Sequence, residues 1–340
     1  MSELKLSIIL PFYNVEKYIA QCLDSLYVQD IPESEYEVIC VNDCSPDGTR
    51  DIVVEYQMKH KNLILIDHEV NKKQGGGRNT GLRAAKGNYV WFIDSDDFIK
   101  NNIFSRLLNI TESYNLEILH FNTQRITNNG EISEYQFFPQ NTDVISGIDF
   151  INNDILPYWK KHVMPWSKIF KTKFLLDNDL FFPEHYFWED NIHTLRSLLA
   201  CKKLQYITDK IHYYRDNPTS DMNTNYLGGI KLADKVRVEV ECIAILEAWR
   251  EKDNEIADFL IPMYTYHLKG RKKAILYFSV SELRKFYKRL SNIERRKFTS
   301  HLKLKDYFIY IYPLPIRIFN FVLMQPLRFI RNLKRTIVKQ

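Results

Sequence analysis

The strongest chemical signal in the chain is Tyr89–Asp97, YVWFIDSDD, where an apolar and aromatic run passes without a spacer into Asp94, Ser95, Asp96 and Asp97. Three carboxylates this close repel one another and raise one another's pKa values unless a divalent cation or a set of donors neutralises them. Hard oxygen ligands of this kind suit Mg²⁺ or Mn²⁺ rather than Zn²⁺. The competing reading is an acidic turn that caps the next helix, because Ser and Asp are ordinary N-caps. A second acidic pair, Glu189–Asp190, follows the aromatic run Phe181–Trp188 and precedes a helical pattern over Ile192–Ala200. Those rings could stack on a ligand or belong to the core, and Asp190 could cap the helix. The third signal is Asn71–Gly81, NKKQGGGRNTG, whose glycines permit close backbone approach beside Arg78 and Asn79. Free N–H groups next to an Arg at a helix N-terminus suit a diphosphate; a plain flexible connection is the alternative. The stretch matches neither the Walker loop nor the dinucleotide fingerprint.

These groups need a scaffold that gathers them. Lys5–Leu10 reads as a strand stopped by Pro11, and Val15–Tyr27 as a helix whose Ile19, Leu23 and Leu26 form one buried face. Glu37–Asn42 is a second strand ending at Asp43, followed by the turn DCSPDGT, a helix over Thr49–His60 and a third strand over Asn62–Asp67. Tyr89–Ile93 is the fourth strand. This alternation predicts an α/β layer of parallel strands with right-handed connections. Ligands of open α/β sheets bind beyond the carboxyl ends of strands. Pro11, Tyr13 and Asn14, then Asn42 and Asp43, then Asp94–Asp97 all fall there. Leu116–Asn122 adds a strand, and Arg125–Phe138 reads as a hairpin around Asn128-Asn129-Gly130. Beyond Met222 the texture becomes helical, over Leu232–Arg250, Asn254–Leu268 and Lys273–Leu290, which divides the chain into 1–222 and 223–340.

In order and spacing, PFYN at Pro11–Asn14, VNDCSPDGT at Val41–Thr49, RNTG at Arg78–Gly81 and FIDSDD at Phe92–Asp97 resemble the successive signatures of the inverting nucleotide-sugar glycosyltransferases of glycosyltransferase family 2. Weaker likenesses continue through Pro165–Phe170, Trp188–Asn191 and His212–Arg215. The resemblance implies a GT-A fold with a mixed, mostly parallel central sheet, to which a helical extension is appended. It implies transfer of a sugar, most readily UDP-linked, to a glycan or lipid-linked acceptor by metal-assisted direct displacement. Asp94 and Asp96 would form the Asp-x-Asp element, Asp96 on Mn²⁺ or Mg²⁺ and Asp94 close by on the ribose and donor side. Pro11 and Tyr13 would line the base pocket with Asn14 beside them, Asp43 would accept from uracil or ribose, and Ser95 would belong to the donor turn. Asp97 would position the donor sugar or cap a helix, and Arg78 would approach the diphosphate or buttress the acidic cluster. Asp190 would be the general base, with Glu189 orienting it or touching the acceptor. Arg215 and Lys168 are diphosphate candidates that surface salt bridges would also explain. Two positions depart from the family pattern: Gly77 stands where Ala is usual, and Trp188 where Gly is common.

Composition bounds the alternatives. With 45% apolar and 26% charged residues among 340, the chain is globular rather than disordered. Five cysteines without CxxC spacing exclude a disulfide framework and a structural zinc site, which predicts a reducing compartment. His120, His162, His185 and His193 share no metal-ligand spacing. No signal peptide or membrane-spanning run is present, so a cytoplasmic location is expected. The net charge of +5 is unevenly distributed: residues 1–268 carry 28 Lys and Arg against 39 Asp and Glu, residues 269–340 carry 19 against 3. The basic, aromatic tail from Tyr307 onward predicts either peripheral attachment to an anionic membrane surface or a helix folded back on the acidic body. A nucleic-acid or anionic-surface binder is the other functional class, but no nucleic-acid motif accompanies the charge and the candidate site is acidic.

Overall fold

A computed structural model describes residues 4–127, 129–136, 140–152, 162–218, 220, 229–252, 254–275 and 294. The strands are β1 (Leu6–Phe12), β2 (Tyr36–Asn42), β3 (Leu63–Asp67), β4 (Tyr89–Phe92), β5 (Phe98–Ile99), β6 (Ile118–Ile126), β7 (Ile132–Gln136), β8 (Lys168–Lys171) and β9 (Leu204–Arg215). The helices are α1 (Ile19–Tyr27), α2 (Thr49–Lys59), α3 (Lys73–Ala84), α4 (Phe104–Ser113), α5 (Gly147–Phe150), α6 (Thr172–Asp177), α7 (Glu189–Ala200), α8 (Gly229–Trp249) and α9 (Asn254–Ile275).

One mixed sheet runs in the order β3-β2-β1-β4-β8-β6-β9-β5, with β7 on β6 as the expected hairpin. β3, β2, β1 and β4 are mutually parallel, whereas β8 is antiparallel to both β4 and β6. The chain leaves β1 toward β2 and β3, then returns to β4 on the other side, so the topological switch point lies between β1 and β4. Crevices at such switch points receive ligands. Every residue of β1, β2 and β4 is buried, in keeping with their continuous apolar runs. Ile19, Leu23 and Leu26 of α1 are fully buried against this layer, as their spacing predicts.

Two expectations need correction. β1 does not stop at Pro11 but continues to Phe12. The carbonyls of Lys5 and Ile9 accept from Tyr89 and Ile93, so odd-numbered residues of β1 turn their peptide groups toward β4. Pro11 shares that direction, and β4 has ended by then, so no ladder bond is lost to the missing N–H. The glycine-rich stretch is not a loop either: Gly75, Gly76 and Gly77 lie inside α3. They are small because of their neighbours. A Cβ on Gly75 would come within 2.4 Å of the Pro183 carbonyl oxygen, one on Gly77 within 2.7 Å of Pro11 Cβ, and one on Gly81 within 2.3 Å of Ile9 Cγ2. Helix α3 therefore lies directly on β1 and on the chain before α7.

The chain divides into two compact units, Met1–Thr224 with Ala248–Ala257, and Asn225–Glu247 with Asp258–Gln340. All the candidate site residues belong to the first. The second holds most of α8 and α9, where the helical periodicity expected beyond Met222 is observed. Most of the expected helix Lys273–Leu290, and the whole basic tail from Tyr307, lie outside the described residues. Among the described residues no helix is long and apolar enough to cross a membrane.

Candidate active site

A first cluster of candidate residues is assembled at the ends of β1 and β2. Asn14, with φ 57, donates its N–H to Ser45 Oγ, and Glu16 donates its N–H to Asp47, so the loop after β1 is sewn to the turn after β2. Tyr13 is left half exposed. Asp43 is buried, and its Oδ1 accepts from Lys72 N at 2.7 Å and from His68 Nδ1 at 2.8 Å, while its carbonyl accepts from Asn71 Nδ2. The other ring nitrogen of His68, Nε2, is hydrogen-bonded to Thr80 Oγ1 of α3, also at 2.8 Å. His68 therefore ties Asp43 to the helix that carries Arg78. Sequence reasoning passed over His68, because a lone histidine past a strand end gives no signal.

The acidic turn after β4 holds three carboxylates in three environments. Asp94 Oδ1 takes a charge-assisted bond from Arg78 Nη2 at 2.7 Å. Asp96 Oδ2 accepts from Asn217 Nδ2 at 2.9 Å. Burial, followed by the charges of Asp97 and Asp94, raises Asp96 to about 7. Asp97 is 0% exposed; its Oδ1 accepts from the Arg215 backbone N–H at 2.8 Å and its Oδ2 lies 3.2 Å from His212 Nε2. Burial and Asp94 push the Asp97 pKa far up, and burial takes His212 down to about 3; the pair joins the turn to β9. Asp97 neither faces a donor sugar nor caps a helix, since α4 starts only at Phe104. Ser95 is buried within the turn.

The second acidic pair opens α7. Trp188, at φ 72, occupies the left-handed region that a bulky residue rarely adopts, which gives a physical reason for the Gly common at this position. Trp188 is the N-cap residue but provides no side-chain cap, so Glu189 and Asp190 form the first turn, where acidic groups complement the helix dipole. Asp190 is thus not the N-cap; its Oδ1 accepts from the backbone and side-chain amides of Asn191, both at 2.9 Å. Glu189 is buried against Arg78, Oε1 to Nη1 at 2.5 Å. Burial raises the Glu189 pKa and the guanidinium opposes it.

Arg78 is accordingly the centre of the arrangement. Its side chain is 3% exposed and one guanidinium spans Asp94 of the acidic turn and Glu189 of α7. Neighbouring Asn79 reaches the same segment, donating to the Phe182 carbonyl and to Glu184 and accepting from Phe182 N–H. Of the two roles open to Arg78, buttress of the acidic cluster is the one its contacts perform. Asp94 and Glu189, far apart in sequence, are brought within one side chain of each other.

Two other candidates sit elsewhere than expected. Lys168 is 1% exposed and donates from Nζ to the His162 and Met164 carbonyls at 2.6 and 2.7 Å, so neither a surface salt bridge nor a diphosphate contact describes it. The Arg215 guanidinium stacks over Tyr18 and Phe98 and donates to Gln21 Oε1 at 2.8 Å, which replaces the surface salt bridge with cation–π contacts. The aromatic run before α7 is largely structural: Phe182 stacks on His193 at 3.7 Å, Phe181 lies under Arg83 and Phe187 under Lys73. A second aromatic group went unread in the sequence, Tyr135 stacked on Tyr214 and Trp166 on His212 at 4.8 and 4.4 Å, because its members come from three separate segments.

Among the described residues no three His, Cys, Asp or Glu side chains form a ready-made cation cage. The donors nevertheless fit a hard cation. The hydrogen bonds at Asp94 and Asp96 engage one carboxylate oxygen of each, and burial with the two neighbouring carboxylates raises Asp96 to about 7, a cost that a cation would offset. Mg²⁺-type ions commonly take one or two carboxylates and complete their shell with water and substrate phosphates.

Comparison with known proteins places the chain in a family and a fold. The profile of "Glycosyl transferase family 2" matches residues 7–201, more than half the chain. The poly(ribitol-phosphate) beta-glucosyltransferase of Bacillus spizizenii is 34% identical over 213 residues, 62% of this chain and 32% of that protein. The poly(ribitol-phosphate) beta-N-acetylglucosaminyltransferase TarS of Staphylococcus aureus is 30% identical over 261 residues, 76% of this chain and 44% of that protein. The chain thus spans less than half the length of these curated relatives. A crystal structure of S. aureus TarS in complex with UDP-GlcNAc superimposes with a TM-score of 0.62 at 26% identity, covering 91% of this chain and 82% of that one. A mannosyltransferase from Pyrobaculum calidifontis, solved with GDP-Man and Mn²⁺, shares the fold at a TM-score of 0.50 and 18% identity, covering 92% and 89%.

Proposed function

The chain belongs to glycosyl transferase family 2, and from that premise we propose that it is an inverting glycosyltransferase that moves a sugar from a UDP-linked donor to a glycan or lipid-linked acceptor. The relatives named for action on poly(ribitol phosphate) make a surface polymer of that kind the leading acceptor class. Residues 1–222 are the proposed catalytic portion, with 223–340 as a helical extension.

The observation that carries this reading is the Arg78 guanidinium joined to both Asp94 and Glu189. Displacement with inversion needs a leaving group stabilised on one side of the anomeric carbon and a base on the other. Arg78 ties the elements that would supply the two. In this reading Pro11, Tyr13 and Asn14 receive the nucleobase, and Asp43, held rigid by Lys72 N–H and His68, accepts from uracil or ribose. Asp190, in the first turn of α7, takes the proton from the attacking acceptor hydroxyl. Glu189, locked to Arg78, fixes where that turn starts. Asp96, with Asp94 beside it, would hold Mn²⁺ or Mg²⁺. When bound, such an ion supplies Lewis-acid stabilisation of the charge developing on the departing diphosphate.

Isothermal titration of the protein with UDP, with and without Mn²⁺, tests the reading. Tighter binding in the presence of the metal is expected; UDP binding that ignores the metal, or no binding, would remove the metal-assisted mechanism.

A further inference from the structure

We propose that Lys168, on β8, is a positioning residue for Asp190: it fixes the turn on which the start of α7 rests and sets an ammonium against the base. The inference rests on the assignment of Asp190 as base in the transferase reading above.

The geometry is a bracket around three successive carbonyls. Lys168 Nζ donates to those of His162 and Met164, and Thr194 Oγ1 of α7 donates to that of Val163 at 2.5 Å. Both side chains are 1% exposed. Asp190 and Thr194 are four positions apart on α7, hence one above the other on a single helix face. Gripping Val163 through Thr194 therefore places Asp190 one turn along from the carbonyls that Lys168 holds.

The surroundings explain why a lysine is used where an apolar residue would fill the space. Its titratable neighbours are His120 on the adjoining strand β6, His162 in the turn, and His193 and Asp190 on α7. Burial keeps His120 and His193 neutral. Among the described residues no carboxylate lies within salt-bridge distance of Lys168, and Asp190 is the charge that favours its protonated form. Burial outweighs that help and brings Lys168 down to about 7. A neutral amine still carries two N–H donors, enough for two carbonyls. Deprotonation thus leaves the bracket intact and removes only the charge that Asp190 favours. By the same Coulombic attraction, the ammonium while protonated favours the carboxylate form of Asp190.

Carbon NMR of the full chain labelled with [13Cε]lysine tests the pairing on the protein alone. The Lys168 signal is assigned by its loss in Lys168→Met, or in Lys168→Arg should the methionine variant not fold. The expected result is a midpoint far below that of ordinary lysines, lowered by about one further unit or more in Asp190→Asn. A midpoint that Asp190→Asn leaves unmoved overturns the proposal. UDP release from UDP-glucose and UDP-N-acetylglucosamine gives the second readout: Lys168→Met should shift the acid limb of the rate profile to higher pH. A uniform loss at every pH with the limb in place would reduce Lys168 to a structural strut and overturn its charge role. A wild type that binds no UDP defeats the transferase reading instead, while the NMR titration still decides the pairing.

Discussion

The two halves of the proposed site are positioned by different physics. On the donor side, each group lies at the end of a parallel strand or a few residues beyond it: Pro11 to Asn14 at β1, Asp43 after β2, Asp94 and Asp96 after β4. Parallel topology alone delivers them to one edge, and local hydrogen bonds finish the placement. On the acceptor side no such rule operates. Glu189 is brought in by Arg78, 111 positions away, and Asn79 holds the Phe182 carbonyl across 103. There, side chains do what topology does on the other side. The donor half should therefore tolerate loss of single polar contacts that the acceptor half does not.

The largest effect should come from separating the halves chemically. Asp190→Asn is expected to lower turnover about 10²–10⁴-fold, the usual worth of a general base, with UDP affinity unchanged. Asp43→Ala should show the opposite split. It leaves the Lys72 N–H and His68 without their acceptor and weakens UDP binding by about tenfold or more, while the base remains in place. Calorimetry with UDP alongside donor-turnover assays distinguishes the two. A loss of UDP affinity in Asp190→Asn would show that the halves are not separable.

Asp96→Asn probes the acidic turn at intermediate size. The folded-state pKa of Asp96 is raised to about 7, so between the ordinary carboxylate range and neutrality the folded protein binds more protons than the unfolded chain. Stability then falls as pH rises through that window, and the cost is fully present above it. Without metal, Asp96→Asn should be more stable than wild type at pH 8, by on the order of 2 kcal/mol, and equal to it at pH 3. Saturating UDP and Mn²⁺ should reverse the order at pH 8. Thermal unfolding at both pH values, with and without ligand, reads all of this.

What the sequence made legible follows the same division. Strand periodicity locates β1 to β4, and the carboxyl-end rule then names the residues at their ends without further help from the fold. Glu189 and Asp190 stand out only by resemblance to a family, since nothing in residues 181–190 announces an arginine at position 78. Lys168 was misplaced because a lysine in PWSKIF reads as surface, and only the carbonyls of the 162–164 turn make its burial tolerable. Asp97 was misread because its partners, the Arg215 N–H and His212, arrive on a strand that closes the sheet last.

The smallest predicted effects concern two glycines and show why one was read correctly and the other was not. Glycine serves either where φ is positive or where space is short, and sequence does not say which. Gly130, in the β6–β7 connection, has φ 81 and no heavy atom within 4 Å of where a Cβ would stand, so only its dihedral matters. Its neighbours Asn128 and Asn129 share that preference, which made the hairpin visible. Gly75 has an ordinary helical backbone, and it is required by the Pro183 carbonyl, over a hundred residues away, with Glu189 Cγ and Phe182 Cβ also close. Gly75→Ala should cost about 1–3 kcal/mol in urea unfolding and also lower turnover, because the displaced chain leads into Glu189. Gly130→Ala should cost about 1 kcal/mol and Gly130→Asn less, both with normal turnover. If Gly75→Ala proved as mild as Gly130→Ala, α3 and the approach to α7 would be free to slide, and Arg78 could not be what holds the acceptor half in place.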